Sequence, residues 1–111
     1  MYKTVIVDGK EMGLSANAAT PFRYKQVFKS DLFAVLGNEK RAEEEGAEVV
    51  TKLAYIMHRQ AEKADMGKLN EDDFITWLEG FSAMAFVNSA EEIVNAYMDS
   101  TVGTATPKEE E

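Results

Sequence analysis

Apolar residues alternate with polar ones at the start of this chain and then recur at helical spacing through most of the rest. Tyr2 to Val7 alternates and is rich in β-branched residues, which predicts a strand. Asp8-Gly9 follows, a pair suited to a two-residue type I′ turn, where both central residues need positive φ. That turn sets Val7 opposite Lys10 and Val5 opposite Met12. Val5, Val7, Met12 and Leu14 then share the face expected to meet helices, with Tyr2, Thr4 and Ile6 on the other. A slip of one residue would exchange the two faces. A lone hairpin is marginal in water, so this one must pack on helices, pair with another chain, or both.

From Thr20 the period becomes helical. Thr20 is suited to cap a helix and Pro21 to open it, because the missing N–H would lack a partner there anyway. This first short helix should reach about Lys29. Ser30 or Asp31 can cap a second, Leu32 to Leu36, closed by Gly37. Asn38 then caps the longest helix, about Glu39 to Ala64, with Val49, Val50, Leu53, Ile56, Met57 and Ala61 at helical spacing. Its first turns, EKRAEEEGAE, are polar all round and contain Gly46; this half is either frayed or ordered only against a partner. Gly67 should stop the helix.

Asn70 with Asp73 three residues on resembles a capping box and opens a helix to Glu79. Ala83, Phe86, Val87, Ala90, Ile93, Val94 and Tyr97 then form a stripe for a last helix, about Ser82 to Met98. Ser89 with Glu92 offers an alternative start within that span. The expectation is one mainly α domain, residues 1–99, of about five helices with the N-terminal β-hairpin (2–15) packed on them (helices about 20–98). Residues 100–111 form a polar, acidic tail with nothing to bury, expected to be disordered. Phe22, Phe28, Phe33, Phe74, Trp77, Phe86 and Tyr97 are the expected aromatic core.

Composition narrows the function. Twenty acids against twelve bases give a net charge of −8. This argues against non-specific binding to nucleic acid or to an anionic membrane surface, and favours a basic or apolar partner. The bases Lys10, Arg23, Lys25 and Lys29 are too few for a nucleic-acid patch. The absence of cysteine excludes disulfides, thiolate nucleophiles and Cys-based zinc sites. The apolar run at the N-terminus is too short for a signal peptide, and no run is long enough to span a membrane.

The candidate chemistry is thin. His58 has Glu62 one turn on, but no nucleophile or metal partner is nominated beside it. Aligning Gly67 with the central glycine of a calcium loop puts Glu62, Ala64 and Met66 at ligand positions, and two of these lack a side-chain oxygen. A cap, a turn and a fresh cap account for the same residues. Glu43, Glu44, Glu45 and Glu48 suit a solvated helix face, with Arg41–Glu45 and Glu48–Lys52 paired along it, or a docking patch for a basic partner. No enzyme, cofactor or metal site is expected. Phe81, Met84 and Met66 fall at helix ends or off the main stripes, where they either fill gaps in the core or form an interaction surface. With Tyr2 and Ile6 on the outer hairpin face, they are the candidate partner-binding residues.

The order of motifs carries one further indication. A hairpin built on VDGK, then N-x-A-T-P-F-R-Y-K-Q-x-F and D-L-F, and later FITWLEGF and FVNSAEEIVNAYM, resembles the tail assembly chaperones of long-tailed (siphovirus-type) bacteriophages or prophages of Gram-positive bacteria. The resemblance covers most of the chain. It implies a cytoplasmic protein of the bacterial host, absent from the mature virion. Such a protein binds and solubilises the elongated, helical tape measure protein during tail morphogenesis. In many such phages a programmed frameshift makes a longer product that recruits tail tube protein. The alternative is a small acidic adaptor or regulatory domain with no phage role, and the hairpin face could equally serve self-association.

Overall fold

The computed structural model describes the backbone of residues 2–105 and the side chains of residues 2–99. Strands β1 (Tyr2–Val7) and β2 (Lys10–Ser15) pair antiparallel in the expected register, Val7 opposite Lys10 and Val5 opposite Met12. Asp8 and Gly9 take positive φ, 56° and 77°, as the type I′ turn requires. Six helices follow among the described residues: α1 (Thr20–Phe28), α2 (Leu32–Leu36), α3 (Glu39–Ala61), α4 (Glu71–Leu78), α5 (Ala85–Asn88) and α6 (Ala90–Ala105). A single 3-10 turn, Met66–Lys68, precedes α4.

The core is organised around α3. It packs against β2, α1, α2, α5 and α6. Val5, Val7, Met12 and Leu14 are buried on the inner face of the hairpin, while Tyr2, Thr4 and Ile6 stay exposed. The alternation therefore placed the right face inward. Leu53, Ile56, Phe74, Phe86 and Ile93 are buried as expected, and Trp77 is half-buried against them. Two aromatics depart from expectation: Phe22 is 68% exposed and Phe33 60%. Tyr24 and Tyr55 take their place inside. On a nine-residue helix the inward stripe is Thr20, Tyr24, Val27 and Phe28, and Phe22 falls opposite it.

Helix ends account for the remaining differences. Asp31 caps α2 by accepting from the Phe33 and Ala34 N–H groups, and Asn38 and Asn70 cap α3 and α4 as expected. Thr20 does not cap α1. It is fully buried, its hydroxyl accepting from the Asn17 N–H at 3.0 Å and donating to Gln60 Oε1 at 2.8 Å. Helix α3 ends at Ala61, before Gly67. Lys63 supplies the left-handed residue (φ 58°), with Lys63 N–H bonded to the Gln60 carbonyl and Ala64 N–H to that of Arg59. That is a Schellman ending with lysine in the place glycine usually takes. The span expected as one last helix is two, α5 and α6, which brings the helices to six among the described residues. The Ser89 side chain makes no cap at this break; its hydroxyl donates to the Ile6 carbonyl at 2.9 Å. Helix α6 runs to Ala105, into the segment expected as tail, and residues 106–111 lie outside the described residues.

Candidate interaction surface

The hairpin is attached at its turn and at both edges. In this register the outward-pointing backbone groups of β1 belong to Tyr2, Thr4 and Ile6, and those of β2 to Glu11, Gly13 and Ser15. Ser89 takes the Ile6 carbonyl on one edge. On the other, His58 Nδ1–H donates to the Gly13 carbonyl at 2.9 Å. His58 is thereby a boundary residue joining α3 to β2, with Trp77 stacked on its ring and Glu62 3.4 Å from Nε2. At the turn, the Ser82 N–H and hydroxyl both donate to the Asp8 carboxylate, at 2.8 and 2.6 Å. These bonds, the hydroxyl's first, hold the Asp8 pKa below its ordinary value. Lys3 pairs with Asp99 on α6. The exposed outer face keeps Tyr2 and Ile6, and the Tyr2 ring lies over Gly13, the one position of β2 without a side chain.

The densest cluster of titratable groups joins α3 to α4. The Tyr55 hydroxyl donates to Asp73 at 2.5 Å, Arg59 bonds Glu62 at 2.8 Å and stands 3.6 Å from Asp73, and its guanidinium lies over the Tyr55 ring. Burial, then the Asp73 bond, pushes the Tyr55 pKa up. For Arg59 burial works downward but is outweighed by the Glu62 bond and the charges of Asp73 and Glu62, so its pKa rises. Asp73 thus fills only half of the expected capping box: Asn70 accepts from its N–H at 2.8 Å, while its carboxylate serves Tyr55. Among the described residues no three histidine or carboxylate side chains come together to hold a metal ion. The cluster's geometry is that of a latch between two helices.

Helix α4 reaches α3 through rings. Tyr55, Phe74, Trp77, Phe81 and Phe86 form a chain of tilted and edge-on contacts with centroids 4.9 to 6.3 Å apart. Such pairs contribute about 0.5–1.5 kcal/mol each beyond burial. Phe81 belongs to this chain and is half-buried. Met66 is also half-buried, in a separate hollow beside Arg23 and Val27 of α1. Met84 is 54% exposed at the cap of α5, three residues before Val87, itself 47% exposed. The five candidate residues therefore fall in three places: Phe81 and Met84 around α5, Met66 near α1, and Tyr2 with Ile6 on the hairpin.

A further apolar opening among the described residues lies elsewhere in part. A groove of about 380 Å3 runs between α2, the first half of α3, and α5 with α6. Val35 and Leu36 form one wall, Val87, Ala90 and Val94 the other, and Ala42, Gly46, Ala47, Val49 and Val50 the floor. Val87 also lines a second hollow with Leu78, Phe81 and Phe86, so the apolar surface continues from Leu36 to the aromatic chain. The opposite side of this half of α3 faces α1: burial, then the charges of Glu48 and Glu45, pushes the buried Tyr24 hydroxyl up to about 12. The half helix is formed here without a partner chain, with Arg41–Glu45 and Lys52–Glu48 the ion pairs along it among the described residues. The sequence signal for the floor was Gly46 inside a polar helical run. Its neighbours Ala42 and Ala47 carry no amphipathic signature, and Leu36 and Val87 stand in sequence beside residues that are buried, Leu32 and Val35 for the one and Phe86, Ile93 and Tyr97 for the other. No family model matches the chain, and no curated protein or solved structure matches it either.

Proposed function

We propose that this protein is a non-enzymatic tail assembly chaperone, acting in the cytoplasm of a bacterial host. It would bind the tape measure protein of a long-tailed phage or prophage and be absent from the finished virion. The reading rests on the motif order from VDGK to FVNSAEEIVNAYM, and the observation that carries it in the structure is an open apolar groove on a strongly acidic body. The physics is simple. An elongated helical partner exposes apolar stripes that would otherwise aggregate. A small domain covers a stretch of stripe in its groove and contributes a net charge of −8 that repels other complexes. Many copies along one partner give avidity without tight single-site binding.

Co-expression tests this directly. The tape measure protein encoded beside this gene should be insoluble alone and soluble with the chain, and the two should co-purify. A partner that stays insoluble in the presence of abundant folded chain would overturn the reading and leave the acidic adaptor as the surviving class. Replacing Phe81 and Met84 by serine should reduce co-purification. Replacing Tyr2 and Ile6 by serine should alter either that binding or the mass seen by light scattering.

A further inference from the structure

We infer that the groove between α2, α3, α5 and α6 is a docking site for one amphipathic helix whose apolar stripe is flanked by lysine or arginine. This deepens the chaperone reading by naming the feature of the partner that is recognised, and rests on that reading only for the partner's identity.

Gly46 gives the groove its shape. Glycine inside a helix is unfavourable, and here no neighbour requires it: a Cβ added at Gly46 would meet nothing within 4 Å. The space it leaves opens on the groove floor. A small floor between Leu36 and Val87 lets another helix approach closely, with its large side chains against the walls. Charge around the groove selects the occupant. Glu39 lies three residues before Ala42, and Glu43 three before Gly46 and four before Ala47, so both share the floor's face of α3. Glu91 stands beside Ala90 and three residues before Val94 on the facing wall. All three are exposed and make no ion pair among the described residues, whereas Glu45 and Glu48 are paired on the α1 side. Lys40 is the base nearest this lip in sequence without an ion pair among the described residues. An acidic lip around an apolar floor favours basic flanks on the occupant. It disfavours a second copy of this chain at −8, and it disfavours the chain's own terminal Lys108-Glu109-Glu110-Glu111.

Fluorescence anisotropy with two labelled helical peptides of about 20 residues, about 30 Å long, tests this on the full chain. Both carry the same leucine stripe, one flanked by lysine and the other by glutamate. The lysine-flanked peptide should bind at least about tenfold more tightly, and added salt should narrow the difference. Glu43→Lys with Glu91→Lys, both at exposed sites, should abolish or invert the preference. Gly46→Leu should weaken the lysine-flanked peptide at least about tenfold without lowering the melting temperature, while Phe22→Ser, away from the groove, should not. Equal binding of the two peptides, no binding of either, or full binding by both the Gly46→Leu and the charge-reversed chains would overturn the proposal. The two readings separate cleanly. If the peptide tests fail and the wild-type chain still solubilises the tape measure protein, the groove falls and the chaperone stands. If peptide binding behaves as stated and the wild-type chain fails to solubilise that protein, the chaperone falls and the groove stands.

Discussion

The two halves of α3 are one continuous helix and behave as two different objects. From Val49 to Met57, seven of nine residues are buried, with the hairpin, α1, α4 and α6 around them. From Glu39 to Glu48 none is buried. The second half is held by packing. The first is held by its Asn38 cap, two ion pairs, the edge of α1 and one wall of α2, and its remaining face is the open groove. A helix need not be covered on all sides to be formed, because continuity with a packed segment supplies the nucleus that an isolated helix lacks. The same continuity lets the first half keep its helical form with an apolar face left uncovered.

The largest test of this contrast is truncation within the two halves. Ile56→Ala, at a fully buried site, should cost about 2–5 kcal/mol in chemical denaturation. Glu44→Ala, exposed in the first half, should change stability by less than about 0.5 kcal/mol. Comparable losses would mean that the first half is packed after all. Next in size is Asn70→Ala, which removes the cap of the helix that covers Tyr55. It should cost about 1 kcal/mol and loosen Trp77, seen in its fluorescence. Gly46→Ala has the opposite sign: a gain of about 0.5–1 kcal/mol, since the Cβ enters open space and the helix loses a glycine. A loss there would show that the floor is closed.

The smallest effect concerns acid. Asp8 has a folded pKa below the usual 3.8, held there by Ser82. Its contribution is therefore present above the ordinary carboxylate pKa and is lost as pH falls through the depressed value. Ser82→Ala should bring the Asp8 pKa, followed by NMR titration, back toward 3.8 and flatten that part of the acid profile. An unchanged pKa would show that the turn is not clamped to the α4–α5 connection.

Much of the fold was legible because its signals are local. Asp8-Gly9 sets the turn, the turn sets the register, and the register sets the buried face of the hairpin. Asp31, Asn38 and Asn70 mark helix starts because their side chains satisfy N–H groups two or three residues away. The end of α3 was not legible, since lysine at position 63 takes a conformation that its sequence does not advertise.

What lay beyond the sequence is long-range. Thr20 looks like a cap until Gln60, forty residues away, engages its hydroxyl. Ser89 does stand at the start of a fresh helix, α6, but its hydroxyl serves the distant Ile6 carbonyl and not the first turn. Tyr55 is fully buried among apolar neighbours, and its hydroxyl is satisfied there by Asp73 on another helix. The groove exists only where α2, α5 and α6 stop short of covering Ala42, Gly46 and Ala47. The sequence by itself determined the helical class, the hairpin and its faces, and the charge, because periodicity and turn chemistry act within a few residues. Only the tertiary structure decided which apolar positions remain uncovered, because exposure depends on where other elements end, and no local pattern encodes that.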